Sequence, residues 1–295
     1  MNAIKPISIG IGNGSLAASV GWLLSQAGIT CDPSSRTAWQ ETGNKLVEKI
    51  FISRPQHIAA GLAQGQFDCA ILGEDMLREY WQQGAGYVIL QSLSVSKTTL
   101  TKNTRVIAFV RAKSIYKNTR DLDRLTILSE YPEITKYWLK ENGIAARIIP
   151  STGSTESMVA AGVYDCGIGI TETGASLAAN NLCVIDELME APVVISTRVE
   201  RANDKRIQCL ADMLTGVHLA QNYALVKMNA EKKDLPAIIA LLPALKSPTV
   251  HELNDKNSAV VETVVLKNKI ALLIVKLKAA GASGIIWHNI DGIVA

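Results

Sequence analysis

The feature that most constrains this fold is a regular alternation of apolar, strand-like segments with segments of helical periodicity. Residues 6–11 have a strand pattern, and apolar residues between 16 and 27 then recur at helical spacing before Gly28 ends the helix. The alternation returns with strand patterns at 45–53 and 67–72, which enclose a second helix pattern. Strands that alternate with helices form parallel or mixed sheets, so the sequence predicts an α/β fold.

A polar stretch at residues 96–104 interrupts the alternation, which resumes from residue 125 as a second α/β lobe. A long helix pattern at 204–221 is followed by segments in the order βαββαβ, which is typical of a ferredoxin-like domain. We therefore predict a first lobe of residues 1–103 with 183–221, a second lobe of residues 104–182, and a ferredoxin-like domain of residues 222–295.

Length and composition exclude several classes of function. The chain has 295 residues, of which 48% are hydrophobic, and this is enough for more than one packed core. A net charge of +3 without a basic cluster argues against nucleic-acid binding. No apolar run is long enough to span a membrane, and no secretory signal pattern begins the sequence. Five scattered cysteines without a CxxC pair indicate a reduced, cytoplasmic protein, and the four histidines share no metal-ligand spacing, so no cysteine or histidine is predicted to bind a metal.

Two turns rich in hydroxyl groups and glycine each follow a strand pattern and open a helix pattern. They are STGSTES at residues 151–157 and TETGAS at 171–176. Free backbone N–H groups at a helix start favour an anion, so the pair predicts a site for a phosphate and a pyrophosphate. Capping of the helices by serine and threonine is the alternative for either turn alone. Glu156 and Asp165 are candidates to orient ribose hydroxyls or to hold magnesium.

A third glycine-rich turn, GIGNGS at residues 10–15, is similar to a dinucleotide-binding fingerprint but lacks its third glycine. We interpret it as a plain glycine-rich turn that lines a cleft.

Several longer segments resemble the long form of ATP phosphoribosyltransferase, the first enzyme of histidine biosynthesis. They are GQFDCAILGEDML at 65–77, SEYPEITKYWLKENGI at 129–144, GSTES with TETGASLAANNL within 153–182, and LLPALKSPTV with LKAAGASGII near the carboxyl terminus. The resemblance extends essentially from Ile7 to the end of the chain. It implies a bilobal catalytic part like a type II periplasmic binding protein, and a ferredoxin-like regulatory domain that binds histidine as a feedback inhibitor.

In that family a ring nitrogen of ATP is joined to the anomeric carbon of phosphoribosyl pyrophosphate with magnesium, and pyrophosphate is released. The resemblance therefore implies these two substrates, Mg²⁺, and a homo-oligomer that is a dimer or a hexamer. With the two turns, it predicts phosphoribosyl pyrophosphate binding by Gly153, Ser154, Glu156, Asp165, Thr171, Glu172, Thr173, Gly174, Ala175 and Ser176. It predicts that the nucleotide side of the cleft contains Asn13, Gly14, Ser15, Arg36, Arg54, Asp68, Glu74, Asp75 and Arg105. No catalytic residue is predicted.

The chain departs from the family pattern on the substrate side. Asn13 and Ser15 lie in a turn where the family has Pro-Lys-Gly-Arg, and His57, Gly169 and Glu172 replace other usual residues. Loss of cationic groups removes charge-assisted contacts to phosphate. Three hypotheses follow: an active ATP phosphoribosyltransferase, a relative that uses another acceptor, and a non-catalytic binding or regulatory subunit on the same fold.

Overall fold

The structure is a computed structural model that describes residues 5–14, 16–35, 37–81, 86–93, 104–243, 247–254 and 257–294. Ser15 and Arg36 lie outside the described residues, as does all but the last residue of the predicted division at 96–104. The chain consists of two compact units, residues 1–211 and residues 212–295.

The first unit contains eleven described strands and most of the helices. The helices are α1 (Ala17–Gln26), α2 (Pro55–Ala63), α3 (Glu74–Tyr80), α4 (Pro132–Glu141), α5 (Thr155–Ala160), α6 (Ala175–Ala179) and the start of α7 (Lys205–Ala220). The strands are β1 (Ile7–Gly12), β2 (Trp39–Glu41), β3 (Val47–Ser53), β4 (Cys69–Gly73), β5 (Tyr87–Leu93), β6 (Thr104–Arg111), β7 (Thr126–Ser129), β8 (Arg147–Pro150), β9 (Cys166–Thr171), β10 (Leu182–Ala191) and β11 (Val193–Arg198). The bounds of β1, β3, β4 and α1 agree with the sequence patterns to within two residues.

The first lobe is built on a six-stranded sheet in the order β2-β3-β1-β4-β11-β5. Strands β3, β1 and β4 are parallel, and β11 is antiparallel to its two neighbours. The sheet is buried on both faces, which explains why β1 and β4 are nearly continuous apolar runs. The ring of Phe67 packs on Gly10, where an added Cβ would lie 2.5 Å from a ring carbon.

The second lobe repeats this plan with a five-stranded sheet in the order β8-β7-β9-β6-β10. Strands β8, β7 and β9 are parallel, and β6 is the antiparallel strand. Phe109 packs on Gly167, where an added Cβ would lie 2.6 Å from the ring. In both lobes, therefore, an aromatic ring fills the space that a strand glycine leaves open. The predicted bilobal α/β part is confirmed.

Strand β10 differs from the predicted domain bounds, which gave residues 183–221 to the first lobe. It pairs antiparallel with β6, from Leu182 opposite Arg111 to Ala191 opposite Thr104, and therefore forms the edge of the second sheet. The chain returns to the first sheet after Pro192, and β11 begins at Val193. The reason is that β10 satisfies its backbone hydrogen bonds along the free edge of β6 before the chain crosses back.

Helix α3 connects the two lobes through a side chain of the first and backbone groups of the second. The Glu79 carboxylate accepts hydrogen bonds from Glu133 N at 3.0 Å and from Ile134 N at 3.0 Å. These N–H groups lie in the first turn of α4, where no partner within the helix is available. Glu79 of the first lobe therefore satisfies the helix start of the second lobe.

The second unit has the predicted βαββαβ order, formed by β12 (Tyr223–Glu231), α8 (Leu235–Leu241), β13 (Thr249–Glu252), β14 (Ser258–Leu266), α9 (Ile270–Ala279) and β15 (Ser283–Asn289). Its strands pair antiparallel in the order β13-β14-β12-β15, and the ferredoxin-like prediction is confirmed. Buried side chains of β12, β14 and α9, such as Met228, Val261 and Leu277, form the core. Across the described part of the chain, no helix is long and apolar enough to cross a membrane.

Candidate functional site

A cavity of about 300 Å³ lies between the two lobes of the first unit. It is reached by the carboxyl ends of three parallel strands, β1 at Gly12, β4 at Gly73 and β9 at Thr171. Ligands of open α/β sheets bind outside the carboxyl ends of the strands, so the position of the cavity is the expected one. It is lined by Gly12, Gly14, Leu16, Val20, Pro55, Ile71, Leu72, Gly73, Asp75, Met76, Thr104, Tyr131, Ile170, Thr171 and Glu172.

The first-lobe wall of this cavity contains the glycine-rich turn between β1 and α1. Gly12 and Gly14 face the cavity, in agreement with the interpretation of a plain cleft-lining turn. Asn13 is exposed, and its backbone N–H donates to the Ser53 carbonyl at 2.7 Å. The wall is completed by apolar side chains such as Ile71, so it presents apolar surface with few polar groups.

Asp75 is the charged residue of the first-lobe wall, and it bonds across the cleft. Its Oδ2 accepts a hydrogen bond from the Tyr131 hydroxyl at 2.9 Å, and the side chains of both residues are almost fully buried. Burial raises the pKa of Asp75, although the Tyr131 bond acts in the opposite direction. Burial and the nearby Asp75 raise the pKa of Tyr131, so the phenol remains a donor at neutral pH. The pair joins α3 to the residue that precedes α4.

The second-lobe wall consists of Thr104, Tyr131 and the end of β9. Thr171 is buried, and its Oγ1 accepts a hydrogen bond from Gly174 N at 3.0 Å. Glu172 follows and is half-buried at the point where the strand becomes the turn. This wall therefore continues directly into the predicted anion-binding turn at residues 171–176.

The two predicted anion-binding turns meet. The Ser176 hydroxyl, in the first turn of α6, donates to Glu156 Oε1, in the first turn of α5, at 2.9 Å. Neither helix start has a side-chain cap, although the Thr173 hydroxyl accepts from Ala175 N at 3.3 Å. Ser154, before α5, has a φ of 60°, a left-handed conformation that non-glycine residues seldom adopt. Strained backbone of this kind is concentrated at ligand-binding turns.

Asp165 is not brought to these turns. It precedes β9, whereas Thr171 ends that strand, so the two residues are separated by roughly 20 Å at the usual strand rise. Its carboxylate lies 3.5 Å from Arg111. The sequence interpretation of Asp165 as a partner of Glu156 for ribose or magnesium is therefore wrong, because residues that precede a parallel strand lie at the opposite edge of the sheet.

Asp68 is displaced from the cleft for the same reason, since it precedes β4 and the cleft lies beyond Gly73, roughly 17 Å away at the usual rise. Its carboxylate accepts from Ser8 N at 2.7 Å and pairs with Arg201 at 2.6 Å. Arg201 also binds Asp204 at 2.7 Å. Asp68 therefore belongs to an ion-pair cluster at the back of the first sheet.

Three other predicted residues lie near the cavity without lining it. Glu74 pairs with Arg78 at 2.6 Å one turn along α3, and Arg105 pairs with Glu187 at 3.1 Å. Arg54 is exposed and directly precedes Pro55, which lines the cavity. Of these three, Arg54 is therefore placed best to meet an anion at the cavity mouth.

Sequence reasoning missed several lining residues, including Thr104, Tyr131 and Met76. The position of Tyr131 just beyond the end of β7 was the signal that could have identified it, since the same rule placed Thr171. Among the departures from the family pattern, His57 is exposed on α2 and Gly169 is buried within β9, and neither lines the cavity.

The fold and the site define a two-lobed α/β protein with hydroxyl-rich turns at the carboxyl ends of its strands, followed by a ferredoxin-like domain. The family profile described as ATP phosphoribosyltransferase matches residues 54–216, and that described as HisG, C-terminal domain matches residues 220–292. The chain belongs to the ATP phosphoribosyltransferase family, long form, as the resemblance predicted. It is accordingly a pentosyltransferase of the first step of histidine biosynthesis, and its family uses a divalent metal.

Relatives match over nearly the whole chain. The ATP phosphoribosyltransferase of Chlorobium phaeobacteroides is 33% identical over 99% of this chain and 99% of its own length. The ATP phosphoribosyltransferase of Koribacter versatilis is 32% identical over 98% of this chain and 99% of its own length. Among solved structures, the ATP phosphoribosyl transferase (HisG:HisZ) complex from Thermotoga maritima has a TM-score of 0.57 at 23% identity, and the match covers 71% of this chain and 96% of that chain. This likeness shows the fold.

Proposed function

We propose that the cleft between the two lobes is the place where phosphoribosyl pyrophosphate and ATP react. The observation that carries the proposal is the bond of 2.9 Å between Ser176 and Glu156, which brings together two helix starts that lack side-chain caps. Such helix starts offer backbone N–H groups to an anion. Two of them, side by side at the edge of the cavity, suit a phosphoribosyl group with its pyrophosphate.

Within this arrangement, Glu156 would accept hydrogen bonds from the ribose hydroxyls. Hydroxyl groups of the turn at 171–176 and the N–H groups of α6 would bind the phosphate oxygens. The anomeric carbon would then face Thr171 and Glu172, which are shared by the turn and the cavity. Because both helices are short, their contribution is local positioning rather than a long-range field.

The adenine base of ATP would occupy the cavity itself. A volume of about 300 Å³ is at the small end of ligand pockets, so it suits one ring system rather than two whole substrates. The apolar first-lobe wall, with Leu16, Val20 and Ile71, would pack on the ring. The triphosphate of the bound ATP would extend out of the cavity mouth past Arg54, the exposed cation beside Pro55.

The chemistry needs little covalent help from the protein. A ring nitrogen attacks the anomeric carbon while the bond to pyrophosphate breaks, so the main requirements are alignment of the substrates and stabilisation of the departing charge. No group of three or more potential metal ligands is found among the described residues. We therefore propose that Mg²⁺ arrives bound to the pyrophosphate oxygens as part of the substrate.

The decisive experiment mixes purified protein with ATP, phosphoribosyl pyrophosphate and Mg²⁺, and measures adduct absorbance and pyrophosphate release. Formation of both products in equal amounts supports the proposal. Pyrophosphate release without the ATP adduct, in a screen of purines and azoles, would instead support a relative with another acceptor. Binding of phosphoribosyl pyrophosphate without any turnover would support a non-catalytic subunit.

We further propose that the ferredoxin-like unit binds histidine as an inhibitor, that the chain forms a homo-oligomer, and that it functions in the cytoplasm. These proposals are supported by the match of residues 220–292 to the carboxyl-terminal family domain. A ligand that binds only the folded state raises the melting temperature by mass action. Saturating histidine should therefore raise the melting temperature of the full chain. An unchanged melting temperature would contradict the proposal that histidine is an inhibitor.

A further inference from the structure

We propose that Glu130 determines specificity for the sugar, because its carboxylate accepts a hydrogen bond from one of the two ribose hydroxyl groups of phosphoribosyl pyrophosphate. This inference rests on the proposed function, since it assumes that the sugar lies at the turns of the second lobe. It concerns which sugar the site accepts, and it names a residue that belongs neither to the cavity lining nor to the two turns.

Glu130 lies between the two turns that were predicted to bind anions. It directly follows β7, and β7 lies between β8 and β9 in the sheet. One turn follows β8, and the other begins at the end of β9. Ser151 N donates to the Ser129 carbonyl at 2.7 Å, and Glu130 N donates to the Ile168 carbonyl at 3.1 Å. The backbone of Glu130 is therefore fixed at the same edge of the sheet as both turns.

The side chain of Glu130 lies on the face of the sheet that α5 and α6 cover. An added Cβ at Gly169 would lie 4.0 Å from Glu130 Oε1 and 3.4 Å from the ring of Phe109. Phe109 belongs to a core cluster with Val159 of α5 and Leu177 of α6. The Glu130 carboxylate therefore lies over β9, on the face where both helices start, and no side chain at position 169 separates it from the strand.

The same face brings Glu130 close to the start of α5. An added Cβ at Gly167 would lie 3.0 Å from Thr155 Cγ2, and Gly167 precedes Gly169 by two residues on β9. Residues two apart on a strand share a face at a spacing of roughly 7 Å. Glu156 follows Thr155 and uses its Oε1 for the bond that joins the two turns. Glu130 and Glu156 are therefore carboxylates at neighbouring places over one strand.

The chemistry of a free carboxylate limits the ligand that Glu130 can take. Among the described residues, none forms a hydrogen bond or an ion pair with its carboxylate, and the residue is half-buried. A carboxylate only accepts hydrogen bonds and repels phosphate, so its ligand must supply donors. Phosphoribosyl pyrophosphate has two anionic groups and, between them, a sugar with two hydroxyl donors. A carboxylate between two hydroxyl-rich turns matches this order of groups along the substrate.

Glu156 would accept from one ribose hydroxyl and Glu130 from the other. Two fixed hydroxyls hold the ring against rotation between its phosphate groups, so the anomeric carbon keeps one orientation toward the acceptor. A site that offers an acceptor to a sugar hydroxyl disfavours the analogue that lacks the hydroxyl, because the acceptor is then left unpaired. The inference therefore predicts specificity for ribose over deoxyribose.

The test compares Glu130→Ala, which removes the acceptor, and Glu130→Gln, which keeps a neutral one, with the wild type. Glu141→Gln is the matched control, because Glu141 is an exposed carboxylate at the last residue of α4. Calorimetry with Mg²⁺ and without ATP measures the binding of phosphoribosyl pyrophosphate and of its 2-deoxy and 3-deoxy analogues. Steady-state assays measure pyrophosphate release, and melting temperatures check that each variant is folded.

We expect the wild type to bind each deoxy analogue about ten- to a hundredfold more weakly than phosphoribosyl pyrophosphate, as for loss of a hydrogen bond to a charged group. Glu130→Ala should bind phosphoribosyl pyrophosphate more weakly by a similar factor. It should lose the penalty for one analogue and keep the penalty for the other, whose missing hydroxyl pairs with Glu156. Glu130→Gln should be intermediate, and Glu141→Gln should match the wild type.

A double variant replaces the lost carboxylate from the neighbouring strand. An added Cβ at Gly169 meets no atom closer than 3.4 Å, so Gly169→Asp is compatible with the fold. Combined with Glu130→Ala, it would place a carboxylate near the position that the Glu130 side chain occupies, and it should restore part of the lost discrimination. Glu130→Ala with Gly169→Ala adds the Cβ alone and should restore none.

Retention of both penalties in Glu130→Ala would overturn the inference. So would tighter binding of phosphoribosyl pyrophosphate by Glu130→Ala, since it would show that the carboxylate only repels phosphate. Failure of the proposed function has a different signature: a wild type that binds the sugar with both penalties but releases no pyrophosphate with ATP would contradict the reaction and support the role of Glu130. A wild type that does not bind phosphoribosyl pyrophosphate would contradict both.

Discussion

The two walls of the cleft share an architecture but differ in chemistry. Each comes from a sheet with three neighbouring parallel strands and a strand glycine packed under a phenylalanine ring. The first-lobe wall ends in a glycine-rich turn with apolar neighbours, whereas the second-lobe wall ends in hydroxyl-rich turns that meet through Ser176 and Glu156. The repeated fold provides two equivalent edges, and the residues that follow each strand decide what an edge can bind.

This difference suggests a division of labour. The second-lobe wall has the uncapped helix starts expected of an anion site, and the first-lobe wall has the apolar surface expected of a base site. The role of each wall can be tested separately, because a substitution in one wall should alter the KM of one substrate more than that of the other.

The largest effect is expected from Ser176→Asp in the second-lobe wall. An added carboxylate near Glu156 would repel the phosphate groups, and at about 5 Å this repulsion costs roughly 3 kcal/mol, or about a hundredfold in kcat/KM for phosphoribosyl pyrophosphate. The KM of ATP should change much less. Ser25→Asp, on an exposed serine near the end of α1, is the control. Equal losses for both substrates would abolish the proposed division between the walls.

A smaller effect is expected from Gly174→Ala, which acts on the backbone rather than on charge. Gly174 has a φ of 77°, and an added Cβ would meet no atom within 4 Å, so the substitution introduces strain without a clash. A left-handed non-glycine residue costs about 1–2 kcal/mol, which would shift the start of α6 and raise the KM of phosphoribosyl pyrophosphate about tenfold. Gly143→Ala has the same kind of strain at the end of α4 and should lower only the melting temperature. If both variants bind the substrate like the wild type, the turn geometry does not matter.

The first-lobe wall is tested by Leu16→Phe. A larger ring on this half-buried residue would occupy part of the cavity of about 300 Å³. The KM of ATP should rise by about three- to tenfold because ring packing is lost, while the KM of phosphoribosyl pyrophosphate stays within twofold. Substrate kinetics with each substrate varied in turn would measure this. The opposite pattern would assign the cavity to the sugar.

The smallest effect concerns stability, and it comes from Asp75→Asn. Burial raises the pKa of Asp75 above 3.8, so its contribution to the free energy of unfolding is full below that pH and is lost as pH rises through the raised pKa. The variant has no such titration. Between pH 4 and pH 7, the melting temperature of the variant should therefore rise relative to that of the wild type as the pH increases. A difference that does not vary with pH would show that Asp75 titrates alike in the folded and unfolded chain.

Much of the fold was predictable because each element has its own local signal. The alternation of strand and helix patterns placed β1, β4 and α7 to within one or two residues, and the βαββαβ order of the carboxyl-terminal unit was predicted correctly. The edge position of β10 was not predictable, since strand pairing depends on which neighbour has an open edge and not on the strand's own residues.

The site was predictable only in part for a related reason. Thr171 and the turn after it lie at the cavity because they follow a strand, and Asp165 and Asp68 do not because they precede one. The contact between Asp75 and Tyr131 joins residues 56 positions apart in sequence, in different lobes, and no local pattern signals such a pair.

The bonds from Glu79 to the start of α4 have a consequence for how this sequence can vary. The acceptor is a side chain, but the donors are the backbone N–H groups of Glu133 and Ile134, which nearly any residue would supply. Position 133, whose side chain is exposed, should therefore vary freely so long as proline is avoided, whereas Ile134 is also held by its burial in the core. Selection on the hydrogen bonds of this joint should act mainly on the side chain of residue 79.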